Sequence, residues 1–313
     1  MPNRIDVHFH IIPQFYVDAA YDAGAAPAIG RYPAYSPDLA LEIMDSSGIQ
    51  VALTSISQPG VQFAPAAAGA ALARRCNEYA AELRQKFPGR FGAFGLIPMQ
   101  DTSAALKEID YCLDVLKFEG VCLFASYQGV YLGDPKFDPI FEHLDRLRAV
   151  VFVHPTSHPS TKNVPLNLPH FMLEFLFDTT RAATNMVMSG TLARNRNLKI
   201  ILAHGGGVIP YIGWRLSVAP LIDRRLSSMS PEIILSGLKD FWFDVALSPS
   251  AATLHALSDF AGVERLLFGS DWPYATKDVV GRALTELGSV DEYRRSSDKI
   301  DRTNALALFP QLA

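Results

Sequence analysis

The chain has little that would tie it to a membrane, a nucleic acid or an oxidising compartment. Only Cys76, Cys112 and Cys122 carry thiols, an odd number without a CxxC spacing. They fit reduced structural cysteines better than a disulfide framework or a thiolate zinc site, and a cytoplasmic location is expected. Its longest candidate apolar run, at 63–73, is Ala-rich and broken by Pro65 and Gly69. A membrane span needs about 20 apolar residues, so no membrane association is expected. The N-terminus also lacks the apolar core of a secretory signal. Charge is sparse at 19%, and 28 Lys+Arg against 32 Asp+Glu give a net −4. No broad basic face would attract phosphate backbones, so no nucleic-acid partner is expected. There is no GxGxxG after a strand, no P-loop and no nucleophile elbow; Gly205-Gly206-Gly207 is too short for a dinucleotide site and gives the backbone room at a strand end.

What the sequence does have is rhythm. Short β-branched or aromatic runs occur at 5–10, 51–57, 90–97, 120–125, 150–154, 199–204, 241–247 and 265–270, with starts 24 to 49 residues apart. Most of these gaps hold a strand and a crossover helix. Helix-start signals fall between the runs: Ser36-Pro37, Asp101, Asp134-Pro135 and Ser248-Pro249. Eight strands with helical crossovers predict an α/β fold, a (β/α)8 TIM barrel forming one domain over 1–313; a doubly wound open sheet is the alternative. Two additions are expected. One is a long excursion after the fifth strand, 155–196, marked by Pro159, Pro165 and Pro169 and suited to a lid or subunit contact; the other is one or two closing helices over 278–308.

In a barrel all C-terminal strand ends face one mouth. His8 and His10 share a face of the first strand by period-2 geometry, His154 ends the fifth, His204 ends the sixth, and Asp271 follows the eighth. Five potential ligands or proton carriers therefore converge. Three imidazoles and a carboxylate suit one borderline divalent cation, zinc first, with Mn2+, Fe2+ or Co2+ as alternatives. A second metal would need a bridging anion such as a carboxylated lysine, and the fourth strand offers no lysine. No organic cofactor is expected. Asp244, inside the seventh strand, reads as a structural carboxylate or, if inward-facing, as a group that orients a ligand histidine.

The ordered set Asp6-Val-His8-Phe-His10, Phe152-Val-His154-Pro, Leu202-Ala-His204-Gly-Gly-Gly with Arg215 eleven residues on, and Phe268-Gly-Ser-Asp271-Trp-Pro resembles the amidohydrolase superfamily. It is most similar to the metal-dependent decarboxylases related to aminocarboxymuconate-semialdehyde decarboxylase. The run from Tyr131 to Pro139 and Asp178-Thr-Thr-Arg resemble the 6-methylsalicylate decarboxylase-like members. The resemblance implies His8, His10, His154 and Asp271 as metal ligands, and His204 and Asp271 as catalytic residues, either being the proton donor. It also implies a dimer or higher homo-oligomer in which Arg215 reaches a neighbouring subunit's pocket to grip a substrate carboxylate.

Trp272 and Tyr211 are expected to bind substrate, within a wider set of mouth aromatics that includes Phe9, Phe15, Phe175 and Tyr274. The semialdehyde decarboxylase has arginines just before its Met-Asp, where this chain has Ala40-Leu-Glu-Ile, which argues against a substrate with two carboxylates. The implied function is non-oxidative decarboxylation of a small ortho-hydroxy aromatic acid of the 6-methylsalicylate or dihydroxybenzoate type. Metal-dependent hydrolysis of an ester, lactone, amide or carbon-carbon bond is the runner-up, and a binding protein without catalysis the third reading.

Overall fold

A computed structural model of the chain describes residues 3–163 and 166–313; Pro165, one of the three prolines expected to mark the excursion, lies outside them. Eight parallel strands run in chain order: β1 (Arg4–His10), β2 (Ile49–Ser55), β3 (Phe91–Leu96), β4 (Gly120–Phe124), β5 (Val150–His154), β6 (Lys199–Leu202), β7 (Trp242–Asp244) and β8 (Leu266–Leu267). Every neighbouring pair from β1 to β8 is parallel. Closure is by backbone. Val7 N donates to Phe268 O at 3.0 Å, and His10 N to Trp272 O at 2.7 Å, so β8 and the residues after it return to β1. The expected (β/α)8 barrel is therefore present, with strands up to four residues shorter than the apolar runs that announce them.

The crossover helices start where short side chains can accept a backbone N–H. Ser36 Oγ accepts from Leu39 N at 3.1 Å, and Asp101 Oδ1 from Ala104 N at 2.7 Å. Near the end of β7 the cap is Ser250, bonded to Thr253 N, rather than Ser248; the helix begins at Ala251. Ser248 is thereby left at the barrel mouth, where it lines the cavity described below.

One core lies between strands and helices; a second fills the barrel itself. Phe94 on β3 stacks on Phe152 on β5 at 5.4 Å across the intervening strand, and meets Phe309 at 5.9 Å. Phe309 is fully buried and follows the Asn304–Leu308 helix, so the chain's last segment plugs the interior. Three helices, Lys277–Ser289, Asp291–Asp298 and Asn304–Leu308, stand where one or two closing helices were expected, and the plug itself follows the last of them. Phe152 in turn supports the His8 ring at 4.9 Å, which connects the packed interior to the site above it.

The segment after β5 is more regular than the excursion expected. Irregular chain and two short 3-10 turns lead into the helix Glu174–Met188, which is the crossover itself. Among the described residues, no helix is long and apolar enough to cross a membrane.

Candidate metal centre

Strand geometry delivers the first two donors. His8 and His10 alternate onto one face of β1, and their Nε2 atoms lie 3.1 Å apart. His154 closes β5, and Asp271 enters from the turn after β8 with Oδ1 3.3 Å from His8 Nε2 and 3.1 Å from His10 Nε2. One ligand atom from each of the four falls within 4.8 Å of every other, and all four residues are buried. Donors held tetrahedrally at zinc-like distances of about 2.1 Å stand about 3.4 Å from one another. The spacing fits a single dication.

The outer nitrogens say which way the lone pairs face. His8 Nδ1 donates to Asp244 Oδ2 at 2.8 Å, and His154 Nδ1 to the carbonyl of Pro155 at 2.8 Å. Neither acceptor has a proton to give, so both imidazoles carry theirs on Nδ1 and leave Nε2 free to ligate. His10 Nδ1 bonds Ser55 Oγ at 3.0 Å, which turns its Nε2 inward too.

Burial sets the protonation of the group. It pushes His10 down and His154 well down, toward the neutral ligand form. Burial acts on His8 in the same sense, but the carboxylates of Asp244 and Asp271 outweigh it and raise His8 to about 10. Burial would lift Asp271, yet the charge on His8 and the bonds from His10 and His204 hold it well below the usual carboxylate range.

Around these donors lies a buried bracing layer. Asp6 Oδ1 accepts from His8 N at 3.0 Å and Ser270 N at 3.1 Å, joining the two ligand-bearing strand ends. Burial lifts the Asp6 carboxyl to about 7 against those bonds. Both His204 (φ 55°) and Asp271 (φ 62°) occupy the left-handed region, sparsely populated by non-glycine residues and enriched where a site holds its backbone under constraint. His204 Nε2 faces Asp271 Oδ2 at 3.5 Å, while its Nδ1 has no partner among the described residues. Gly206 and Gly207, also at positive φ, are required by close approach: a Cβ would lie 2.6 Å from Phe243 and 2.1 Å from Leu176 O.

A profile of the amidohydrolase family matches residues 5–310. The chain belongs to the amidohydrolase family. This amidohydrolase is 38% identical to the 6-methylsalicylic acid decarboxylase acuB of Aspergillus aculeatus over 321 residues, 99% of this chain and 96% of the relative. Among solved structures it is similar to an amidohydrolase II, with 26% identity, TM-score 0.91, and coverage of 98% of this chain and 100% of that one. It is also similar to a 2,6-dihydroxybenzoate decarboxylase complexed with 2,6-dihydroxybenzoate, with 25% identity, TM-score 0.80, and coverage of 99% and 100%.

Above the four donors the amidohydrolase opens a cavity of about 400 Å3. His154, His204 and Asp271 form its floor, with Ser57, Gln58, Ser248 and Tyr274 as the other polar lining residues. Ile29, Phe171, Met172, Phe175, Leu247 and Val279 supply most of an apolar rim. Among the described residues no Lys or Arg lines it.

Trp272 and Tyr211, expected to touch substrate, do not line this cavity, and Arg215, expected to reach a neighbouring subunit's pocket, does not line that of its own chain. Trp272 is 6% exposed and faces the other way, stacked on Phe9 at 4.9 Å and tilted against Tyr35, because the turn that brings Asp271 inward sends the next side chain behind β1. Tyr211 and Arg215 sit on the outer face of the Ile209–Ser217 helix, Tyr211 being 90% exposed. Phe9 and Phe15 are likewise absent from the lining, whereas Phe175 and Tyr274 are present. Asp244 faces inward and holds His8, the second of its two expected readings. Ser57 and Leu247 went unnamed although they end expected strands, and that position was the available signal. Phe171 and Met172 lie in the short 3-10 turn His170–Met172, too brief for any periodicity to mark them.

Proposed function

We propose that this amidohydrolase is a metal-dependent carboxy-lyase that removes CO2, without oxidation, from a small ortho-hydroxy aromatic acid bearing a single carboxylate, and that 1–313 works as one domain. The observation that carries this reading is a cluster of three histidines and one aspartate under an aromatic-sized cavity that no Lys or Arg lines among the described residues. His8, His10, His154 and Asp271 would hold one divalent ion, with zinc the first expectation. When bound, that ion supplies positive charge for the substrate carboxylate and its ortho oxygen.

The chain's own side chains do the rest. Phe175, Tyr274 and Met172 confine the ring, and the apolar rim favours an alkyl substituent over a second charged one. His204 Nε2 carries the proton to the ring carbon that loses CO2, with Asp271 Oδ2 opposite it orienting the imidazole. In this assignment Asp271 stays ionised, consistent with the low range in which its histidine neighbours hold it.

A second copy would pack on the face formed by Tyr211, Trp214, Leu221 and Ile222, each more than 70% exposed, and Arg215 would extend from it toward the partner's cavity. Three buried free thiols suit a cytoplasmic enzyme. One experiment tests the whole reading: incubate zinc-loaded and chelator-stripped protein with 6-methylsalicylate, 2,6-dihydroxybenzoate and a set of aryl esters and lactones. CO2 release from the acids that disappears on stripping and returns with metal is expected, from protein that sediments as a dimer. Ester or lactone turnover without CO2 would replace the lyase by a hydrolase.

A further inference from the structure

Asp244 sits at the end of β7, fully buried, in contact with both halves of the chemistry. Its Oδ2 accepts the Nδ1 proton of His8 at 2.8 Å. Its Oδ1 accepts two backbone N–H groups, from His204 at 3.0 Å and from Ala246 at 2.9 Å. One carboxylate therefore reaches an expected metal ligand through one oxygen and the backbone of the expected proton carrier through the other. His204 is there at φ 55°, a conformation that needs external support. Among the described residues, Asp244 alone bonds both a ligand ring and the His204 backbone.

We infer that Asp244 is a positioning residue that fixes the tautomer of His8, and with it the direction of the Nε2 lone pair, while anchoring His204 over the cavity. This rests on the metal-dependent reading above. An ionised carboxylate offers only acceptors, so whichever oxygen meets His8 requires the proton on Nδ1 and frees Nε2. An amide in the same place behaves differently. Its oxygen is claimed by the two backbone donors, so its NH2 must face His8 Nδ1. The ring then accepts at Nδ1 and carries its proton on Nε2, pointed at Asp271 Oδ1 3.3 Å away, with no lone pair for a cation.

The substitution that isolates this is Asp244→Asn, which is nearly isosteric and keeps the acceptor for His204 N and Ala246 N. Zn2+ affinity is measured by chelator competition, and the thermal midpoint of the metal-free protein is followed alongside. Expected is a loss of affinity of about 10- to 100-fold with the melting transition retained. Asp244→Ala, which also orphans the two backbone donors, should lower the midpoint as well. Affinity of the Asn variant within threefold of wild type would overturn the assignment.

A measurement on wild type needs no variant to fold. In the zinc-loaded protein the His8 ring proton should appear on Nδ1 in 15N-resolved spectra, exchanging slowly; a proton on Nε2, or a freely exchanging one, would equally overturn it. Failure of wild type to bind any dication would instead remove the metal-dependent reading itself.

Discussion

His8, His10 and His154 each bond a fixed partner through the outer nitrogen, and Asp6 and Asp244 tie the strand ends that carry them. Phe171, Met172 and Leu247 at the rim of the same cavity remain 41%, 53% and 45% exposed. Floor and rim thus do different work. Buried polar groups left unpaired are costly, so the floor has one permitted arrangement and can present lone pairs and a proton with fixed direction. Apolar contacts have no such directionality; the rim selects by size and by the absence of charge, and side chains can be exchanged there at small cost. Mutations should separate the two regions: floor changes alter whether chemistry occurs, and rim changes alter on which ring.

The sharpest test of the floor is His204→Ala. His204 is not one of the four expected ligands, and its Nε2 stands 3.5 Å from Asp271 Oδ2, so metal content should stay at wild-type level while turnover falls by about 10^2- to 10^4-fold. Elemental analysis beside CO2 release checks both halves. Near-normal turnover would take His204 out of the proton transfer and leave the floor as a metal holder only.

A smaller effect tests the bracing behind His154. Asp178, in the Glu174–Met188 helix, accepts from Thr156 N at 2.8 Å through Oδ2, while Oδ1 has no partner among the described residues. Burial raises its carboxyl to about 6, despite the bond from Thr156 N and the nearby charges of His158 and Arg181. Between its ordinary value and about 6 the folded protein binds the extra proton, so stability falls as pH rises through that window and levels off above it. Asp178→Asn should remove this slope, worth up to about 3 kcal/mol. Urea unfolding at pH 4.5 and pH 7 measures it; parallel shifts in wild type and variant would mean that the carboxyl is ionised throughout and that the bracing is of another kind.

Which parts were legible in the sequence follows the same division. Floor residues obey two strict rules, strand alternation and the common direction of strand ends, so His8, His10, His154, His204 and Asp271 could be placed together before any coordinates were known. Asp244 was visible as a polar interruption in an apolar strand, with its direction undecided. Side chains beyond the reach of those rules do not line the cavity of their own chain. Trp272 follows Asp271 and so faces the opposite way, and Tyr211 and Arg215 stand on a helix whose inward face is apolar and whose outward face sequence alone does not distinguish from a pocket wall. Phe171 and Met172 come from a stretch without periodicity, positioned by the helix that follows it, and no local pattern announces a side chain held in place from elsewhere.

The rim is tested by Leu247→Ala. Leu247 follows β7 at φ 52°, in the strained region, and lines the cavity together with Ser248. Alanine accepts that backbone as well as leucine does, so the exchange removes side-chain carbons without releasing the chain. If the ring substituent of the substrate rests against Leu247, kcat/KM for 6-methylsalicylate should fall about tenfold relative to salicylate, as expected for the loss of contact worth roughly one methyl group. Zinc affinity should not change, because no donor or outer-nitrogen partner is touched. An unchanged preference between the two acids would move the substituent toward Met172 or Ile29; a change in metal affinity would mean that rim and floor are coupled, and the division between them would fail.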